Sequence, residues 1–290
     1  MQVFTNIIVL TAIYALICCG YVLVYRVSRV LNLAHGELML LGAYLLLATA
    51  SLFGGHPVLA LGAALVLSLC MGIAVYLLLM RRMTGEMVVA AVLVTIALGI
   101  LLRGLVVLFW TDRLRHPLEE LGWQNGSLQL AEGVALSQVN LLTVLVAVAV
   151  YLGLFVFFRF TRWGVRMRAA GENPLLAAQR GIRLHVIYAL AWGMAVFTGG
   201  ATGMLLAADS GLETTLVIIG LKAFPAALVG GLDSLLGALL GAFIVATAEV
   251  LAIHYIDALV SDVVPFLVLL AMLMIRPWGL FGTKEEFERV

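Results

Sequence analysis

The chain of 290 residues is 64% hydrophobic and 11% charged, with a net charge of +1 and a mean hydropathy of +1.14. Soluble domains carry about 25% charged residues, so this composition excludes an ordinary soluble globular protein. A charge so close to zero supplies no global field for nucleic acid or acidic partners, and the lipid bilayer remains as the medium.

Apolar windows fall at 3–25, 31–53, 57–80, 87–110, 138–160, 186–208, 216–230, 235–253 and 263–275. Most are close to the 20 or so residues that cross a hydrocarbon core of about 30 Å. The expected fold is an all-α polytopic membrane protein, one transmembrane domain over 1–290, with eight or nine crossings. The opening MQVFTNIIVL lacks the basic and small-residue features of a signal peptide and is expected to begin the first span. Cys18, Cys19 and Cys70 lie in apolar spans without metal-ligand spacing and read as buried structural thiols.

The second span opens with Asn32, His35 and Glu37 and continues to Gly42-Ala43-Tyr44. Polar and ionisable groups are costly in a bilayer and normally face another helix or a cavity. Two readings follow: hydrogen bonding to a neighbouring helix or loop, or lining a pathway. Catalysis or metal binding would need a third polar group, and none is near in sequence. His35 and Glu37, two residues apart, do not share a helix face. Thr95 and Arg103 are the polar residues of the fourth span, and Phe109-Trp110 at its end suggests that Arg103 snorkels to the outer interface. His116, His185 and His254 fall in loops or at span ends, where solvent-facing positions are expected.

Arginines set the orientation. Arg26 and Arg29 follow the first span, Arg81 and Arg82 the third, and Arg159, Arg162, Arg166, Arg168, Arg180 and Arg183 the fifth. The positive-inside rule makes that face cytoplasmic and places the N-terminus outside. Opposite loops are neutral at Gly54–His56, acidic at Asp209–Thr215, and mixed over Thr111–Ser137, where Arg113 and Arg115 oppose Asp112, Glu119, Glu120 and Glu132. The tail, 276–290, carries Arg276, Lys284 and Arg289 and lies inside if the seventh window crosses fully.

Within the cytoplasmic loop, 161–185, the stretch Arg162–Arg183 is basic and soluble in character. Asn173 suits an N-cap, Pro174 the first helical position, Leu175–Gln179 a short helix, and Gly181 its end. A short capped helix between two long spans has the form of a docking element for a cytosolic partner. The later stretch Gly220–Ser234 contains Lys222, Phe224 and Pro225, then Gly230-Gly231. Pro225 is expected to bend the helix and the glycine pair to break it, so that 216–230 could be broken or re-entrant. Gly237 and Gly241 allow close helix approach. Lys222 has Glu249 and Asp233 as candidate partners. The chain contains no phosphate-binding loop and no run of intramembrane carboxylates for a proton relay, so energy must enter from elsewhere.

Four ordered motifs, NLAHGELMLLGAY, RAAGENPLLAAQRGI, GLKAF-x-AALVGG and RPWGLFG, resemble the LivH-type membrane permeases of branched-chain amino acid ABC importers. The resemblance covers essentially the whole chain. It implies a bacterial inner-membrane permease paired with a second homologous permease, two cytoplasmic ATPases and a periplasmic solute-binding protein. ATP and Mg would sit on the ATPases, with no cofactor on this chain. It also implies that Arg168–Ile182 is the coupling helix, with Arg168, Gly171, Glu172, Asn173, Pro174, Leu175, Leu176, Ala177, Ala178, Arg180 and Gly181 at the contact. On that reading Ala177→Asp would unseat the ATPase. Asn32, His35, Glu37, Thr95, Lys222, Phe224 and Pro225 are the candidates to line the pathway. Pro225 and Asp233 depart from the family pattern, which usually has a non-proline and a small neutral residue there. Members of the family are associated with branched-chain amino acids, with short amides and urea, and with aromatic or other small carboxylates. The competing readings are a passive channel for a small polar solute such as urea or a short amide, and an intramembrane enzyme using His35 and Glu37.

Overall fold

A computed structural model describes residues 1–53, 56–83, 86–131 and 134–282. The expectations for Gly54, Glu132, Lys284 and Arg289 lie outside these residues. In chain order come α1 (Gln2–Ser28), α2 (His35–Phe53), α3 (Pro57–Met83), α4 (Val88–Trp110) and the short α5 (Pro117–Glu120). A hairpin of β1 (Ser127–Ala131) and β2 (Val134–Ser137) follows. Then come α6 (Gln138–Phe160), α7 (Arg162–Glu172), α8 (Pro174–Gln179), α9 (Leu184–Ser210), α10 (Val217–Gly230), α11 (Leu235–Tyr255) and α12 (Val264–Ile275). Seven of these, α1, α2, α3, α4, α6, α9 and α11, are long and apolar enough to cross a membrane. Two shorter apolar helices, α10 with its leading 3-10 turn and α12, complete the set. The chain is an all-α polytopic membrane protein.

Helices α1, α2 and α9 form the centre. In their most apolar windows 72%, 61% and 67% of residues are buried, against 28% in α3 and α4 and 22% in α6, which present their apolar side chains to lipid. Small residues let the central helices touch: a Cβ on Gly203 of α9 would lie 2.2 Å from the Met39 carbonyl oxygen of α2. Helix α3 buries one narrow stripe, Ala60, Ala64, Ser68 and Gly72, spaced four apart. Cys70 lies off that stripe and is exposed, so only Cys18 and Cys19 are buried thiols.

The two ends of the bundle differ. At one, the hairpin pairs Ser127 with Ser137 and Leu128 with Leu136. Gln2 at the start of α1 exchanges two hydrogen bonds with Ala135, at 3.1 and 3.2 Å. Asp209, near the end of α9, accepts from Asn125 and Ser137, and Thr214 donates to Asp112 at 2.8 Å. At the other end, Arg29 beyond α1 pairs with Asp233 beyond α10, Nη1 to Oδ1 2.5 Å. Helix α10 therefore begins on the hairpin face and ends on the basic face.

It does so without a break at Pro225, which lies inside a continuous helix. Proline removes the donor for the Leu221 carbonyl, and the helix continues through it, closely packed on α11. A Cβ on Gly241 of α11 would sit 2.2 Å from the Ala226 carbonyl oxygen. The break comes at the glycine pair, where Gly231 has φ 99°. There the RPWGLFG segment returns: Leu280 and Phe281 donate their amides to the Val229 and Gly230 carbonyls at 2.9 and 3.1 Å. That motif closes carbonyls that a helix end leaves without partners.

Candidate coupling surface and solute pathway

The basic loop folds as two helices. Thr161 accepts from Gly164 N at 3.0 Å and caps α7, whose inward face is Gly164, Met167, Ala170 and Gly171. Gly171 lies directly on the end of α1, where a Cβ would meet the Arg26 carbonyl oxygen at 2.2 Å. Asn173 then accepts from Leu176 N at 2.9 Å, Pro174 takes the first helical position, and Gly181 turns the chain with φ 79°. The sequence pattern marked α8 but not α7, whose buried residues are small or isolated and form no apolar run.

The exposed face of α8 differs from the one expected. Ala177 is 4% exposed and packs inside the chain, whereas Leu175 and Leu176 are 70% and 56% exposed. Ala178 and Arg180 also face outward, as do Glu172 and Asn173. Ala177→Asp would therefore damage this protein's own packing, and the outward apolar pair is Leu175 and Leu176. Arg168 in α7 is half-buried, with its Nε lacking a partner among the described residues. Beside α8 opens a cleft of about 400 Å³ lined by Trp163, Arg166, Ile182 and Arg183.

The pathway candidates form two groups. After α1 ends at Ser28, the chain folds back so that His35 lies against Gly20, about 12 Å inside the end of α1. Asn32 Oδ1 accepts from Ala34 N at 3.2 Å, and Thr95 Oγ1 of α4 accepts from Leu33 N at 3.2 Å. Both residues thereby hold an irregular, buried stretch of backbone. The His35 ring is fully buried, edge-on to Tyr21 with ring centroids 4.7 Å apart, and flanked by Gly20 and Gly199. The Ile17 carbonyl faces the ring, but neither ring nitrogen closes a well-formed hydrogen bond, and Asn32 Nδ2 has no partner among the described residues. Phe224 of α10 reaches the same place, 5.3 Å from Tyr21 between ring centroids. Glu37, half-buried, lies against Gly99 of α4 and feels the charge of Arg103 one turn on, an exposed residue.

Lys222 belongs to the other group. It lies two residues before Phe224 on α10 and faces away from it, toward α11. Its Nζ is 2.8 Å from Glu249 Oε1 and 2.8 Å from Asp262 Oδ1, and Glu249 Oε2 accepts from the Tyr14 hydroxyl. Asp233 is not its partner, being held by Arg29. Pro225 is buried in the helix wall next to this network. Tyr14, Tyr21 and Asp262 were not singled out in the sequence. The spacing of Tyr14, Cys18 and Tyr21 on one face of α1 was the available signal, since Cys18 Sγ and Tyr21 OH both donate to α10 carbonyls. His116, His185 and His254 are exposed, His185 within 3.3 Å of the Tyr76 hydroxyl. Among the described residues no three His, Cys, Asp or Glu side chains cluster as metal ligands.

Residues 3–273 match the sequence profile of the family described as branched-chain amino acid transport system / permease component. The chain belongs to this family. It is a membrane transport permease. It is 29% identical to the high-affinity branched-chain amino acid transport system permease protein LivH of Escherichia coli (strain K12), covering all of this chain and 97% of that one. The corresponding protein BraD of Pseudomonas aeruginosa is 27% identical, over 100% and 98% of the two chains. A probable branched-chain amino acid transport permease protein LivH of Methanocaldococcus jannaschii is also 27% identical, over 97% and 90%.

Proposed function

We propose that this permease is one of two related membrane subunits of an ATP-driven importer for branched-chain or similar hydrophobic amino acids. Its solute would be handed over on the hairpin face by a periplasmic binding protein. Two cytoplasmic ATPases, holding ATP and Mg, would drive it from the basic face, and the chain itself would bind no cofactor. In this orientation the N-terminus is outside and α8 is in the cytoplasm of a bacterial inner membrane, as the arginine distribution supports.

The observation that carries the reading is the pair Leu175 and Leu176, exposed at the tip of a capped helix outside the membrane layer. Large apolar side chains paired in such a place favour a protein partner. ATP-driven closure of the ATPase pair would push on α8. Because α7 is seated on the end of α1 through Gly171, the push reaches the central helix and biases the bundle between outward-open and inward-open states. The Asn32 Nδ2 and His35 ring nitrogens, without hydrogen-bond partners among the described residues, lie beside the Tyr21 and Phe224 rings, a combination of polar and apolar groups that an amino acid with an apolar side chain requires.

A mild-detergent pull-down from the native membrane, followed by mass spectrometry, tests the assembly. The expected companions are an ATPase with a phosphate-binding loop and a second polytopic permease. Recovery of the chain alone, together with uptake that survives ATP depletion, would instead favour the passive channel.

A further inference from the structure

Helices α1, α6 and α11 leave between them an open apolar groove of about 540 Å³. Its floor is Ala12 and Ala15 of α1, and its walls include Val148 and Phe155 of α6 and Leu236 and Leu239 of α11. Toward the basic face Tyr151, Phe155 and Leu236 also line a second cavity of about 300 Å³. Three arginines line that cavity: Arg26 at the end of α1, Arg159 in the last turn of α6, and Arg168 on α7. Aromatic faces hold two of them, Arg26 over Phe158 at 5.2 Å and Arg159 over Phe155 at 5.9 Å.

Asp233 lines the cavity too, but it is engaged by Arg29. None of the three guanidinium groups closes an ion pair with a carboxylate of the described residues. Along α1 the trench lining runs from Ala15 to Ile8, eleven to eighteen residues from Arg26, about 17 to 27 Å of helix. Its nearer part spans about half of a hydrocarbon core of about 30 Å, enough for an acyl chain of one leaflet. A cationic cluster beside an apolar trench matches an anionic headgroup and an acyl chain.

We propose that this groove binds an anionic phospholipid of the leaflet on the basic face. The phosphodiester lies among Arg26, Arg159 and Arg168, and an acyl chain lies along Ala15, Phe155 and Leu236. The site touches α7, so its occupant would brace the helix that carries α8.

The test is native mass spectrometry of the intact complex released from nanodiscs of phosphatidylcholine doped with phosphatidylglycerol. Wild-type protein is expected to retain phosphatidylglycerol selectively. Arg26→Gln with Arg159→Gln should reduce that retention about tenfold or more, as loss of two arginines at an anionic surface implies. The single Arg159→Gln, at an exposed guanidinium, should give a smaller loss in the same direction. Val148→Trp, which fills the trench and leaves the arginines in place, should also reduce it. Equal retention of the two lipids, or retention unchanged in the arginine variants, would overturn the proposal. Retention insensitive to Val148→Trp yet competed by inorganic phosphate would overturn it in favour of a simple phosphate site. A crosslink from Val148→Cys to the second permease, made with a thiol-reactive photo-crosslinker, would assign the groove to that subunit instead.

Discussion

Lys222 and Glu249, on neighbouring helices α10 and α11, meet at 2.8 Å with side chains only 11% and 5% exposed. This ion pair is buried inside an apolar layer, and the Tyr14 hydroxyl on α1 completes it by donating to the second carboxylate oxygen. Two buried charges held together cost little more than an apolar pair, whereas one left alone costs about 3–5 kcal/mol. Glu249→Ala leaves Lys222 with only the exposed Asp262 and should destabilise the protein by about 1–3 kcal/mol, less than a charge left wholly alone. Adding Lys222→Met should recover much of that loss. Thermal unfolding of the four forms in detergent, analysed as a double-mutant cycle, would show non-additivity if the pair is coupled.

Asp262 extends the same network into the loop before α12, where its side chain is 67% exposed. The hydrogen bond from the Lys222 ammonium, reinforced by its charge, holds the Asp262 carboxyl below the ordinary carboxylate range. A depressed folded-state value means the contact contributes fully above the unfolded carboxylate value of about 3.9 and is lost as pH falls through the folded one. Stability should therefore show no Asp262 contribution to its pH dependence between about pH 7 and 5. A component that Asp262→Asn removes should appear only in stronger acid. Proteolytic sensitivity of the loop, followed from neutral pH downward in both forms, provides the readout.

Gly20 and His35 pack closely against each other in the interior. A Cβ on Gly20 would fall 2.2 Å from His35 Cε1, and the ring has Gly199 on another side. Gly20→Ala should destabilise by about 1–3 kcal/mol, as overpacked cores do. The added substitution His35→Ser should relieve the strain while removing the ring from the proposed pathway. Stability would return and uptake would not, and measuring both in the double variant separates packing from transport.

The cap of α8 can be tested apart from its surface. Asn173→Ala removes the acceptor for Leu176 N and should cost about 1 kcal/mol of local helix stability. Faster hydrogen exchange confined to 174–181, with the transmembrane helices unchanged, is the expected pattern.

Much of this architecture was legible because its physics is local. Asn173, Pro174 and Gly181 specify α8 by capping chemistry alone, and the apolar windows give the spans by length. What escaped was set by contacts between distant segments. The glycine pair marked the break that falls at Gly231, whereas the continuation of α10 as helix through Pro225, with Gly241 packed on Ala226, depended on contacts with a distant segment. Ala177 and Leu176 look alike as candidates in sequence, and only the seating of α8 on the bundle decides which is outward. Lys222 had two plausible acidic partners, and Arg29 removed one of them by claiming Asp233. The hairpin over 127–137 has strands of five and four residues, too short for alternation to stand out in a polar loop.

The most direct test of the coupling role is to compare Leu176→Asp and Ala177→Asp with the wild type in proteoliposomes containing the complete complex. Solute uptake and ATP hydrolysis would be measured together, with thermal stability recorded for each variant. Leu176→Asp should keep wild-type stability and lose uptake per ATP hydrolysed, while Ala177→Asp, placing a charge at a buried position, should lose stability first. Leu176→Asp with unchanged coupling at normal expression would contradict the assignment of α8 as the element through which ATP drives transport.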